Sequence, residues 1–160
     1  APLKPTTCTT SSNAIIKTIP IKYFNSTVQA ATVTATLKLT AFNLRSASYV
    51  PTSSNLGHLK YALTTSNTNC TTGVVQSGDL NDSGKTPSFS NGKLSSAVTL
   101  FSQTFTAPAE MSAEATQTYY LWIWLDSAYT HTNTGNTNSD PMQGFTISAQ
   151  WSGQIAQNNS

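Results

Sequence analysis

The stretch ATVTATLKLTAF, residues 31–42, does most to restrict what this chain can become. Val33, Ala35, Leu37, Leu39 and Ala41 fall on one side of it, and Thr34, Thr36, Lys38 and Thr40 on the other. Side chains alternate along a strand but repeat every 3.6 residues along a helix, so a strict period of two means a strand with one dry face and one wet face. The pattern returns in GFTISAQWSG, where Phe145, Ile147, Ala149 and Trp151 oppose Thr146, Ser148, Gln150 and Ser152. Shorter strands are expected in GHLKYALTT (57–65) and GVVQSG (73–78). LSSAVTLFSQTFTA (94–107) is another, with Phe101 and Phe105 on one face and Val98 and Leu100 split between faces. GDLNDSGKTPSFSNGK (78–93) is a turn-rich connection, and APAEMSAEA (107–115) has room for one helical turn. Short alternating strands without an amphipathic helix indicate an all-β single domain, a β-sandwich or jelly roll with an extended N-terminal arm or strand.

One strand breaks the one-wet-face rule. In TYYLWIWLD, residues 118–126, Tyr119, Leu121, Ile123 and Leu125 share a face, while Tyr120, Trp122 and Trp124 occupy the other. Both faces are apolar, so something must cover the second: another part of the domain, a sugar, or another copy of the chain.

Charged residues are only 9% of the chain, against about 25% in an average soluble protein. Thr, Ser and Asn supply 61 of the 160 residues in their place. Such a hydroxyl- and amide-rich composition is associated with secreted and cell-surface proteins. The net charge is +2 and the basic residues are scattered from Lys4 to Lys93, which disfavours nucleic acid as a partner. No run of about 18 apolar residues is present to span a membrane as a helix. The opening APLKP, with neither initiator Met nor apolar leader, reads as a mature exported product whose signal has been removed, placed outside the cell or on its surface.

Little in the chain suggests catalysis. His58 and His131 are the two histidines, and neither lies near a nucleophile motif such as GxSxG. Of the six carboxylates, Glu110 and Glu114 would pair on a helical turn, but paired glycosidase acids usually come from different elements. Asp79, Asn81, Asp82 and Ser83 offer clustered oxygens of the kind calcium takes, yet their spacing is not that of an EF-hand loop and ordinary turn chemistry explains them equally. The expectation is a non-enzyme with no cofactor and no metal. Cys8 and Cys70 lack a CxxC or a neighbouring histidine and, in an exported chain, are expected to form a disulfide, within or between subunits. Asn25, Asn69, Asn81 and Asn158 begin N-x-S/T sequons and are candidate N-glycosylation sites.

TVTATLKLTAF, HLKYALTTSNTNC with GVVQSGDL, and TYYLWIWLDS followed by a polar loop and PMQGFTISAQWSG carry a resemblance. Together they resemble the secreted fibre proteins of the TasA and camelysin type, the SipW-dependent exported proteins of Gram-positive bacteria. No metalloprotease motif is present, so protease activity is not implied. The resemblance implies a jelly-roll subunit of an extracellular, pilus-like or biofilm filament, a homopolymer built by donor-strand complementation. Residues 1–24 are then the N-terminal arm and candidate donor strand, and 25–160 the sandwich domain. Ile15, Ile16, Ile19, Ile21, Tyr23 and Phe24 would fill the neighbour's groove, unless this segment is the domain's own first strand. The alternative reading is a monomeric carbohydrate-binding or adhesin domain, with glycans as partners, that stacks sugars on Tyr120, Trp122 and Trp124.

Overall fold

The computed structural model describes residues 14–129, 142 and 144–157, with the side chains of 154–157 excepted. Among these described residues nine strands and one short helix follow in order: β1 (Ile15–Tyr23), β2 (Ala31–Asn43), α1 (Ser53–Gly57), β3 (Leu59–Thr64), β4 (Val74–Asp79), β5 (Phe89–Ser90), β6 (Lys93–Leu94), β7 (Val98–Ala107), β8 (Ala115–Leu125) and β9 (Thr146–Gln157). The expected all-β class is the one observed. Among the described residues no helix is long and apolar enough to cross a membrane.

Every strand pairing is antiparallel, and the strands form two sheets. One has the order β1-β8-β3-β4. In the other, β2 is central: residues 31–39 pair with β7 on one side and with β9 on the other, and β6 meets the far end of β2 at Asn43. The inner faces share one core, with Ile19, Ile21, Leu59, Tyr61, Leu63, Tyr119, Leu121 and Ile123 from the first sheet against Leu37, Leu39, Phe42, Leu100 and Ile147 from the second. Hydrogen bonds tie the sheets at both lateral edges. Gln76 Nε2 on β4 donates to the Leu100 carbonyl at 2.6 Å, and Trp151 Nε1 on β9 donates to the Ile19 carbonyl at 3.2 Å.

Two β-bulges change the faces read from the sequence. On β2 the expected dry row holds through Leu39, but pairing with β9 then skips Thr40. Phe42, at 0% exposure, takes the core position assigned to Ala41, which is only half-buried. On β7 the pairing passes from Leu37–Phe101 to Lys38–Thr99 and leaves Leu100 as the extra residue. Val98 and Leu100 are therefore both buried, and Phe101 and Phe105 also pack on core residues. An extra residue reverses which side the rest of a strand presents.

The expected helical turn near residue 110 is absent. Glu110 has φ 49°, and the amides of Glu110 and Met111 donate to the carbonyls of Thr27 and Asn25, each at 2.8 Å, instead of to their own segment. A helical turn forms at Ser53–Gly57 instead, capped by the Thr52 hydroxyl, which accepts the Asn55 amide at 3.2 Å. Inside the turn-rich connection, Asn91 and Gly92 both have positive φ and close the β5–β6 hairpin, as an Asn-Gly pair between facing strands does.

Burial raises the pKa of Tyr61 and of Tyr119; the side-chain hydrogen bonds of Gln76 and Gln103 act against it, less strongly. An acid whose folded pKa is raised keeps its proton longer in the folded chain than in the unfolded one. Stability is then complete below the usual tyrosine value of about 10 and falls as pH rises past it. Urea midpoints should be flat in this respect up to about pH 9.5 and drop above it, and a Tyr61→Phe, Tyr119→Phe chain should lose less over the same interval.

Candidate assembly strand and the covered aromatic face

β1 is an edge strand that pairs along all nine residues with β8 of its own chain, from Ile15–Ile123 to Tyr23–Ala115. Its β-branched, isoleucine-rich sequence suits an extended backbone with two apolar faces. Ile19 and Ile21 are buried in the main core, with Ile15 and Tyr23 packed at its margin. Tyr23 also meets Phe105 edge-on, with ring centroids 4.8 Å apart. Ile16 points the other way, onto Trp122 and its neighbours, and Phe24 lies just beyond the strand, 47% exposed. Of the six candidate donor residues, five are thus in the body of the domain and one is at its surface.

The free side of β1 borders an opening of about 340 Å³ lined by Pro20, Ile21, Lys22, Tyr23, Val33, Ala35, Trp151 and Gly153. The Asp126 amide bonds the His58 carbonyl toward β3, and the register along β8 is unbroken, so Tyr119 turns its backbone groups toward Ile19. Pro20, one residue on, then has its absent N–H on the free side, where no ladder bond is lost. Burying Ile19 and Ile21 contributes about 3–6 kcal/mol in transfer terms.

The second apolar face of β8 is covered by a small cluster of this chain's own residues. Ala14, Ala62 and Cys70 bury Trp122 to 1% exposure, with Ile16, Tyr120 and Trp124 packed around them. The indole N–H of Trp122 donates to Thr64 Oγ1 at 2.9 Å, and that hydroxyl donates to the Ser66 carbonyl at 2.6 Å. Thr64 is itself fully buried, so the pair closes a polar account in a dry place. Trp122 therefore presents no ring to a sugar, and the three-ring platform reduces to the half-buried Tyr120 and Trp124. Cys70 is 6% exposed and disulfide-bonded, while Cys8 lies outside the described residues.

The sequons differ sharply in their surroundings. Asn25 is 4% exposed, and its Nδ2 donates to the carbonyls of Gln29, Ala107 and Pro108 at 3.0, 3.3 and 3.0 Å. Its Oδ1 accepts the Thr27 amide and hydroxyl at 3.1 and 2.7 Å. A glycan would have to replace the bonds of the very nitrogen it attaches to, so in this fold Asn25 acts as a structural amide. Asn69 is half-buried, with its Oδ1 accepting the Thr71 amide and hydroxyl at 2.9 and 2.8 Å. Asn81 is exposed, and Asn158 lies outside the described residues.

Charged groups gather at one place on the outer side of the first sheet. Lys60 Nζ lies 3.5 Å from Asp79 Oδ2 and 3.9 Å from Asp126 Oδ2, and His58 Nδ1 lies 3.9 Å from the same Asp126 oxygen. In the loop considered for calcium, Asp79 Oδ1 accepts the Asn81 amide and Asp82 Oδ2 accepts the Asp79 amide, at 2.8 and 3.1 Å. These are turn-forming bonds, and Lys60 already partners Asp79. Among the described residues no group of three His, Cys, Asp or Glu side chains is placed to hold a metal ion. His131 and Asp140 lie outside them.

Comparison with protein-family models, with curated proteins and with solved structures finds no match for this chain.

Proposed function

We propose that the chain is a non-catalytic structural subunit that assembles with copies of itself into an extracellular filament by exchanging its first strand. The observation that supports this most is the position of β1: it is a lateral strand bonded to one neighbour, yet it delivers Ile19 and Ile21 to the core. A strand of that kind makes the same contacts with β8 of its own chain or of the next copy. Exchange therefore exposes no new apolar surface once complete, and a head-to-tail exchange propagates into a fibre. Pro20 disfavours the competing route, in which a further strand adds to the free side of β1.

Removing residues 1–24 should abolish filaments in negative-stain images; filaments that persist would refute the reading. A second experiment tests the exchange itself. Lys22 and Thr116 are exposed cross-strand partners, so a Lys22→Cys, Thr116→Cys chain should crosslink between copies when filaments are oxidised. With Cys8→Ser and Cys70→Ala also in place, so that the native disulfide adds no bands, non-reducing gels should show a ladder absent from the same chain with Lys22 and Thr116 intact. Filaments that yield only monomer-sized bands would mean that β1 stays at home and that assembly uses other surfaces.

A further inference from the structure

The outer face of the second sheet carries a feature that the assembly reading does not use. An open groove of about 540 Å³ crosses β7, β2 and β9, lined by Thr34, Thr36, Lys38, Thr99, Ser102, Ser152 and Gly153. Apart from a glycine, its lining is hydroxyls and a single cation. The sequences of β2, β7 and β9 contain no Asp or Glu, and Lys38 is their one charged residue. Lys38 makes no ion pair among the described residues, in contrast to Lys60 on the opposite sheet, which holds two carboxylates.

The local backbone sets Lys38 apart as well. The two bulges flank it: Leu100 is the extra residue on β7 beside it, and Thr40 is the extra residue two positions further along β2. Bulges bend and twist a sheet locally and re-aim neighbouring side chains, and they gather next to binding sites. Here the β7 bulge keeps both Leu100 and Phe101 on the core side, so the outer side of β7 at this point shows only Thr99 and Ser102. Ser102 pairs with Thr36 at 3.1 Å and Thr104 with Thr34 at 3.4 Å, which forms a row of hydroxyls beside the lysine.

We infer that this groove binds a carboxylate-bearing saccharide chain, such as a polyuronate, with the Lys38 ammonium on a carboxylate and the Thr and Ser hydroxyls on the sugar hydroxyls. Charge complementarity selects the occupant. A single cation with no ion pair among the described residues, on strands without acids, favours one anionic group per contact length, whereas nucleic acid calls for several cations along a backbone. A peptide would bury apolar side chains, and the lining offers none to receive them. The hydroxyls both donate and accept, as a polyol requires.

The test is a titration of the intact, oxidised protein with tetragalacturonate, with maltotetraose as the neutral sugar and tetraglutamate as the acidic peptide. Tetragalacturonate should shift the amide resonances of Thr34, Thr36, Thr99, Ser102 and Ser152. Its affinity should fall about tenfold in Lys38→Met and recover in Lys38→Arg, the loss expected for one charge-assisted bond. It should also weaken as salt rises from about 0.05 to about 0.5 M. Equal binding of maltotetraose, tighter binding of tetraglutamate, an unchanged affinity in Lys38→Met, or shifts mapping elsewhere on the wild-type chain would each overturn the assignment. The wild-type shift map stands even if a Lys38 variant misfolds.

Discussion

Trp122→Ala should destabilise the domain by about 3–5 kcal/mol, the range for removing a large aromatic side chain from a packed interior. The ring is 1% exposed and packs among Ala14, Ala62 and Cys70, small residues that cannot swing in to refill the space. Its loss also leaves Thr64 Oγ1 without the indole donor, in a position with no access to water. Trp124, two residues along the same face, is half-buried, and Trp124→Ala should cost roughly 1 kcal/mol. Urea melts of both variants, with the disulfide intact, measure the difference. Equal losses would mean that the outer face of β8 is an ordinary surface and that the small cluster contributes nothing distinctive to folding. The same pair of variants separates core from binding role, because a sugar platform would tolerate Trp122→Ala in stability and lose only ligand.

The second large effect is expected at Asn25. Its Nδ2 joins the β1–β2 turn to the end of β7 through the Ala107 and Pro108 carbonyls and braces the turn itself through Gln29, and its oxygen holds Thr27. Asn25→Ala removes these bonds from around a buried side chain and should cost about 3 kcal/mol, since the bond to the buried Ala107 carbonyl is lost together with those to Pro108, Gln29 and Thr27. Asn25→Asp keeps the shape and the Thr27 bonds but turns an acceptor, charged at neutral pH, toward three other acceptors. It should be at least as damaging as alanine at pH 7, and it should recover part of the loss as pH falls and the carboxyl becomes a donor. Urea midpoints at pH 7 and about pH 4 test this; an Asp variant as stable as the parent at pH 7 would show that the three carbonyls do not depend on Asn25. Expressed in a glycosylating host, the Asn25 peptide should carry its unmodified mass, while exposed Asn81 is open to modification.

Much of the strand content could be read directly because it is local. Val33 to Leu39 and Phe145 to Trp151 alternate between a dry and a wet side, and a strand turns that alternation straight into two faces. The Asn91-Gly92 hairpin was also legible, since two successive residues with positive φ favour that dipeptide, although it was read only as part of a longer turn-rich stretch. The bulges were not legible. An extra residue at Thr40 or Leu100 is decided by which partner each strand finds, and a strand's own sequence does not carry its register.

The candidate sites divide along the same line. By itself the sequence determined an all-β chain with few charges, an isoleucine-rich strand near its beginning and one strand apolar on both faces. Those follow from composition and from a period of two, which neighbouring residues establish among themselves. Only the tertiary structure decided that Trp122 is interior, because its cover comes from Ala14, Ala62 and Cys70, all far from it in the chain. It likewise decided that an N-x-S/T asparagine is a buried strut, since Ala107 and Pro108 arrive from 82 and 83 residues away. The Lys38 groove needed three strands side by side before its hydroxyls and its single cation could share one surface. Contacts between distant residues carry no local signature, so burial and partnership at these positions waited on the fold.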